Sequence, residues 1–478
     1  MDAAALSTGE LDGALEDFAE RFRRALEPPV LPGAIDRATL AARFDEPLPE
    51  QGQPVESILG ELEEKSAGAL AGGTGGRYFG YVTGGALPAA AIVEAWTAAV
   101  DQNVGMWPLG PAAVELEVVT LRWLADLLGF PGESGYFGSG ATMANTVALA
   151  VARHSFGRKH GVDVLTQGVR PLPELAVYGS EELHLSDHKA LRTLGLGSGC
   201  VRAIPMDERY AMRVDLLVEA IERDRAAGIE PAIVIAQAGS VNTGACDPIA
   251  AIADVCAEHG IWLHVDGAFG AFFGLWEQGR ALVAGMERAD SIAVDAHKWL
   301  NVPNGVGFVL FRDAAGHRET FAGSAGYLTP GAGQNLHELG IEASRSWRGA
   351  CVWAALKQLG REGVVDMVSR CCDLAQELAQ LVESSPRLEL TAPAPTNIVC
   401  FRYRPAGWAD GEQLDELNRR IQADVADAGE VFHTGATLAN GFSQRAALVS
   451  WRTTKDDVRA LADAIETAGD RLSEPGSA

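Results

Sequence analysis

From Arg77 to Asp313 the chain alternates short apolar, often β-branched runs with stretches of helical period, and this alternation narrows the possible folds more than any other feature. Runs at 176–179, 201–204, 232–236, 261–265, 292–294 and 306–311 predict strands, and 215–227 and 248–259 predict helices between them. Such alternation builds a mostly parallel sheet covered on both faces, because each parallel crossover must return over a face. Ligands of such sheets bind beyond the carboxyl ends of the strands.

The flanks read differently. Residues 10–26 carry an amphipathic pattern, Pro28-Pro-Val-Leu-Pro32 breaks it, and 54–70 predicts a second helix before the hinge Ala71-Gly-Gly-Thr-Gly-Gly76. Two helices have too little core to stand alone, so this arm must pack on another surface. After about Arg345, residues 352–382 read as helical, with breaks possible at Gly360 and Gly363. Strands at 397–402 and 447–451 and a closing helix at 456–472 complete a smaller α+β unit. The expected organisation is an arm over 1–76, a large domain over 77–345 and a small C-terminal domain over 346–478, with a disordered tail at 473–478.

Composition excludes several partners. A net charge of −25 leaves no basic patch for nucleic acid or an anionic membrane. No apolar run reaches the ~18 residues of a membrane span, and the most hydrophobic stretch, 86–100, is interrupted by Glu94. Asp2, Glu10 and Asp12 stand where a signal peptide needs basic and apolar residues. Seven cysteines without Cys-x-x-Cys spacing fit reduced thiols in the cytoplasm. The ten histidines are scattered and suggest no metal site.

Four segments carry chemistry. Ser291-Ile-Ala-Val-Asp-Ala-His-Lys-Trp-Leu300 ends an apolar run with His297 and Lys298 set against a tryptophan. Burial of an amine favours its neutral, nucleophilic form. The other five lysines, at 65, 159, 189, 357 and 455, lie on polar or amphipathic stretches. Ile261-Trp-Leu-His-Val-Asp-Gly-Ala-Phe269 delivers Asp266 at a strand end, where a buried carboxylate needs a cationic or donor partner, or else serves as a helix cap. Gly135-Tyr-Phe-Gly-Ser-Gly-Ala-Thr-Met-Ala-Asn145 opens a helix with small residues. The amides of Gly140 and Ala141 and the Thr142 hydroxyl could hold an anion there, although a tight helix start needs no ligand. Its spacing fits neither a P-loop nor a dinucleotide fingerprint. Finally, Val177-Tyr-Gly-Ser-Glu-Glu-Leu-His184 places a histidine just past a strand.

Together these segments resemble the pyridoxal 5′-phosphate (PLP) dependent group II amino acid decarboxylases, over 77–454, with Asp295-Ala-His-Lys-Trp-Leu300 the most specific stretch. The resemblance implies a fold type I, PLP-dependent transferase-like large domain and a homodimer in which the arm packs on the partner. It implies Lys298 as the Schiff-base lysine, Asp266 as partner of the pyridine nitrogen, and Ala268 and His184 on opposite ring faces. Gly140, Ala141 and Thr142 fall at the phosphate, Asp295 and His297 beside the lysine, and Thr243 near the ring hydroxyl. Tyr78, Phe79, Tyr81 and Trp107 suggest a substrate pocket for an aromatic or bulky apolar amino acid. Arg345 and Arg445 are candidate carboxylate or structural arginines.

Two departures from the family stand out. Asn301-Val-Pro-Asn-Gly-Val306 lacks the tyrosine and aspartate that relatives often carry after the proline. The stretch from Tyr327 to Gly340 is shorter than the relatives' mobile loop and has no tyrosine after Tyr327, leaving His337 and Glu338 as titratable groups. His337 is therefore the candidate proton donor to the carbanion left by decarboxylation. The expected activity is decarboxylation of an L-amino acid to an amine. Oxidative decarboxylation to an aldehyde, transamination, β-elimination and a non-catalytic dimeric scaffold stay open as alternatives.

Overall fold

The computed structural model describes residues 12–25, 30, 35–323 and 334–474. The readings made on Asp2, Glu10, Pro28, Pro29, Leu31, Pro32, Tyr327 and the last four residues lie outside them.

The large sheet has seven strands: β1 (Ser134–Gly138), β2 (Leu175–Ser180), β3 (Val201–Ile204), β4 (Glu230–Gln237), β5 (Trp262–Asp266), β6 (Ser291–Asp295) and β7 (Gly307–Phe311). Their order is β1-β7-β6-β5-β4-β2-β3. Strands β2 to β6 pair in parallel, and β7 runs antiparallel to both β6 and β1. All six predicted strands are present. The seventh, β1, is Ser-Gly-Tyr-Phe-Gly, and its two glycines mask a strand that pairing with β7 stabilises. Helices cover both faces, so β6 and β7 are buried along their whole length and read as continuous apolar runs. The helix Ala141–Lys159 crosses behind the sheet, with Ala144, Val147, Ala148 and Val151 in one cluster with Ala293 and Val309. Each buried valine contributes about 1.5–3 kcal/mol.

The helix Gly349–Ser384 leads to the second unit, and of the two possible breaks Gly360 takes the role, with φ 65° inside the helix. The second sheet contains β8 (Leu388–Leu390), β9 (Ile398–Tyr403), β10 (Thr434–Leu438) and β11 (Gly441–Ala447), in the order β10-β11-β9-β8, all antiparallel. The strand expected at 447–451 is misplaced: β11 ends at Ala447, and the chain then leaves the sheet. There the Leu448 N–H donates to Asn397 O at 2.9 Å and the Trp451 N–H to Asn301 Oδ1 at 3.0 Å. Helices Glu412–Ala428 and Lys455–Ser473 bury Leu417, Ile421, Leu461 and Ile465 against this sheet. A reciprocal Thr454–Asp457 capping box starts the second of them.

The arm holds three helices rather than two: Asp12–Ala25, Arg37–Phe44 and Val55–Ser66. The extra one is capped by Asp36, whose Oδ1 accepts the Thr39 N–H at 2.9 Å. Leu48, Ile58, Leu62 and Leu70 remain exposed. Among the described residues no helix is long and apolar enough to cross a membrane.

Candidate active site

The carboxyl ends of β4, β5 and β6 and the segment after β2 open onto one cavity of about 220 Å³. It gathers His184, Gln237, Asp266, Asp295, His297 and Lys298 with the helix start Gly140–Thr142. A wider depression of about 650 Å³ opens at the amino ends of β4 and β5 and holds none of these groups.

Lys298 lies on the short helix Ala296–Trp299 that follows β6, anchored by the fully buried Trp299. Its Nζ stands 2.9 Å from Asp295 Oδ2 and 5.7 Å from the centre of the Phe269 ring. Asp295 Oδ1 accepts the Ala141 N–H at 2.5 Å, so a carboxylate already occupies the positive end of the helix Ala141–Lys159. Gly140 makes that approach possible: its φ is 146°, and a Cβ there would lie 3.2 Å from Asp295 Oδ1. The His297 Nδ1–H donates to Val306 O at 2.9 Å, leaving Nε2 3.6 Å from Asp295 Oδ1.

Asp266 is buried at the end of β5. Its Oδ1 accepts the Ala268 N–H at 3.0 Å and its Oδ2 the Asn145 amide at 3.1 Å. Behind it runs a chain of hydrogen bonds with one polarity. Asn145 Oδ1 accepts from His264 Nε2 at 3.0 Å, His264 Nδ1 meets Ser291 Oγ at 2.9 Å, and Ser291 Oγ accepts the Trp262 indole N–H at 3.1 Å. Complete burial pushes His264 down to about 4, which keeps it neutral within this chain. His184 caps the helix Leu185–Thr193, its Nδ1 accepting the Ser186 N–H at 3.2 Å, and burial lowers its pKa as well.

Other expected site residues lie elsewhere. Phe79 is a correction: with 0% exposure it sits in the core of the small unit with Leu378 and Phe401 and presents no surface to a substrate. Tyr78 packs on Phe432 at 4.8 Å between ring centres, and Tyr81 is 64% exposed. Neither these tyrosines nor Trp107 lines the cavity of its own chain. The Thr243 hydroxyl accepts from the Ala245 N–H at 3.3 Å, and Val241 lines the cavity in its stead. His337 Nδ1 faces Gly105 O at 3.1 Å, away from the cavity. Arg345 forms a bidentate pair with Glu117 at 3.0 and 2.6 Å, both side chains sealed from solvent, which assigns it to structure. Arg445 spans the two units, its Nε donating to Val241 O at 2.7 Å and its Nη1 to Tyr81 O at 2.8 Å.

Sequence reasoning missed Asn145 and His264. The available signal was a polar residue in the otherwise small and apolar run Ala141–Ala152, and a histidine at an inward position of a buried strand.

The donor set fits PLP. Asp266 is a buried carboxylate whose two hydrogen-bond donors are neutral, suited to a pyridinium. The helix start already holds an anion, and a lysine shares the cavity with both. Bound PLP supplies an electron sink for the pair released when a bond to a substrate α-carbon breaks. Residues 38–404 match the model of the pyridoxal-dependent decarboxylase conserved domain. The chain is 30% identical to an aromatic-L-amino-acid decarboxylase of Bacillus atrophaeus, over 92% of this chain and 90% of that protein. It is 26% identical to a phenylacetaldehyde synthase of Arabidopsis thaliana, over 93% of this chain and 92% of the relative. Its fold superposes on the crystal structure of Oryza sativa TDC with PLP and tryptamine with a TM-score of 0.90, at 24% identity over 98% of this chain and 99% of that one. Fold and site thus define a PLP-dependent enzyme of fold type I. Within that class, the chain belongs to the pyridoxal-dependent decarboxylase family and is an amino acid carboxy-lyase.

Proposed function

We propose that this enzyme removes carbon dioxide from an aromatic L-amino acid to give the amine, as a homodimer in the cytoplasm. The observation that carries the reading is the convergence of Lys298, Asp266 and His184 on one cavity that also contains a helix start. The relatives' names support the aromatic substrate.

In this reading Lys298 bonds the cofactor and moves a proton, Asp266 pairs with the ring nitrogen, and His184 and Ala268 bracket the ring. Ala141 and Thr142 take the phosphate. His337 and the segment carrying Trp107 serve the partner's cavity. They lie together, since the His337 N–H donates to Gly105 O at 2.9 Å and the Trp107 N–H to Asn335 Oδ1 at 3.2 Å. Exposed Ile92, Trp96, Leu109 and Ile341, with the arm's leucines, supply apolar surface for a second copy. The free cysteines among the described residues suit a reducing compartment.

The test is incubation of the PLP-loaded enzyme with tryptophan, tyrosine, phenylalanine and glutamate, scoring carbon dioxide, amine, aldehyde, ammonia and peroxide. Equal yields of carbon dioxide and aromatic amine support the proposal. Turnover of glutamate alone rejects the aromatic assignment. Oxygen uptake in step with carbon dioxide, with aldehyde and ammonia as products, replaces amine formation by oxidative formation of an aldehyde, the product class in the synthase relative's name.

A further inference from the structure

Asp187 lies in the first turn of the helix Leu185–Thr193, three residues past His184, and has no exposed surface. Asp266 is the charged group that acts on its carboxyl, and the two segments meet at Asn145, whose amide nitrogen lies 3.2 Å from the adjacent Ser186 Oγ and 3.1 Å from Asp266 Oδ2. Neither of the Asp187 oxygens has a hydrogen-bond partner among the described residues. Two neighbouring buried carboxylates cannot both stay ionised unless each has donors, so one of the pair holds a proton. Asp266 already has the Ala268 N–H and the Asn145 amide to stabilise its charge, whereas Asp187 has no donor. The proton therefore belongs to Asp187. Burial, and then the neighbouring Asp266 charge, raise the Asp187 pKa well above the usual carboxylate range, in the same sense.

We propose that Asp187 acts as a neutral carboxylic acid that donates a hydrogen bond to Asp266 and thereby keeps the proton between Asp266 and the cofactor's pyridine nitrogen on the nitrogen. This rests on the reading of Asp266 as the nitrogen's partner. An ionised carboxylate offers about four lone-pair sites. Ala268, Asn145 and Asp187 take three of them, and the fourth is left for the ring. Each donor stabilises Asp266 as an anion and opposes its taking the ring proton. The Asn145 donor is itself held in one orientation by His264, because the amide oxygen is committed to Nε2. Asp187 is a positioning residue: it acts on the cofactor only through Asp266.

The experiment uses PLP labelled with ¹⁵N in the ring, bound to the intact enzyme, with the nitrogen shift read by NMR alongside PLP affinity and thermal midpoint. The wild type and Asp187→Asn, whose amide donates from the same place, are expected to show the protonated-nitrogen shift. Asp187→Leu should move the shift towards neutral pyridine while the protein stays folded, since leucine buries without a polar cost. Should the leucine variant not fold, Asp187→Ser, too short to reach Asp266, is judged by the same criterion. An unmoved shift in that variant, with a displaced shift in Asp266→Asn, overturns the role of Asp187 and leaves Asp266 in place. An unmoved shift in Asp266→Asn overturns the pairing of Asp266 with the nitrogen, and the proposal with it.

Discussion

Lys298 Nζ stands 2.9 Å from Asp295 Oδ2, and the other oxygen of the same carboxylate holds the Ala141 N–H. One side chain thus links the cavity's amine to the helix start, and an arriving phosphate must compete with it for that N–H. Borohydride reduction of the PLP-loaded enzyme followed by peptide mapping should place the pyridoxyl group on Lys298. Lys298→Ala should retain PLP only non-covalently and lose at least about 10²–10⁴-fold in turnover, the usual worth of a positioned proton-transfer group. An adduct on another lysine would overturn the site.

Asp266→Asn should keep the fold and lose about 10²–10³ in kcat, the typical cost of removing one oriented electrostatic partner. Circular dichroism and steady-state kinetics of the purified variant check this. Near-normal turnover would make Asp266 a structural residue.

Arg345→Met should destabilise the enzyme by about 3–5 kcal/mol, because it strands the Glu117 carboxylate in a site with no exposure. Denaturant unfolding at fixed PLP concentration measures the loss. The double variant Arg345→Met/Glu117→Leu should recover much of it. A selective rise in KM with unchanged stability would instead assign Arg345 to substrate binding.

Acid should destabilise the fold through its buried histidines. His264, His317 and His433 are each pushed down to about 4 by burial, below the ordinary 6.5. Their neutral forms contribute stability that is fully present above 6.5 and lost as pH falls towards 4, at up to about 1.4 kcal/mol per pH unit for each. Asp247, raised by burial to about 6, acts in the opposite sense between 3.8 and 6, and burial raises Asp187 and Asp290 in the same direction, which offsets part of the histidines' slope. The thermal midpoint of the apoenzyme should therefore fall steadily from pH 7 to pH 4.5, and His433→Gln should flatten part of the slope. A midpoint independent of pH over that range would contradict the assignment.

Gly84→Ala should lower PLP content and turnover together. A Cβ at Gly84 would lie 1.9 Å from the Lys298 carbonyl oxygen, so the lysine's segment must shift to admit it. Overpacking of this kind costs about 1–3 kcal/mol. Absorbance of the bound cofactor reads the effect, and an unchanged spectrum and rate would show that the backbone yields without moving Lys298.

The parts of this molecule that were legible in the sequence are those in which one residue type has one physical explanation. Continuous apolar runs on strands buried on both faces, such as β4 and β6, predict themselves, since a covered parallel sheet accommodates them. The meeting of Lys298, Asp266 and His184 at one cavity was legible because each lies at or a few residues past the carboxyl end of such a run. Residue types with two uses were misread. The aromatic ring of Phe79 fills the core of the small unit as readily as it would line a pocket, and composition cannot tell the two apart. Thr243 sits two residues from the cavity-lining Val241, and the backbone path of a turn is not written in its glycines. The hairpin joining β10 to β11 was missed because its strands carry Gly435, Gly441 and Gln444 in place of branched residues.

Asn301 takes φ 48°, a left-handed conformation that asparagine tolerates, and is wholly buried. Its amide nitrogen donates to Trp299 O at 2.8 Å and to Val449 O at 3.1 Å, while its oxygen receives the Trp451 N–H. The segment carrying the lysine is thereby stitched to residues about 150 positions further along the chain. The two units cannot be exchanged between relatives as independent modules. A chimera joined anywhere between them must inherit both sides of this seam from one parent, or its lysine will be presented at the wrong height.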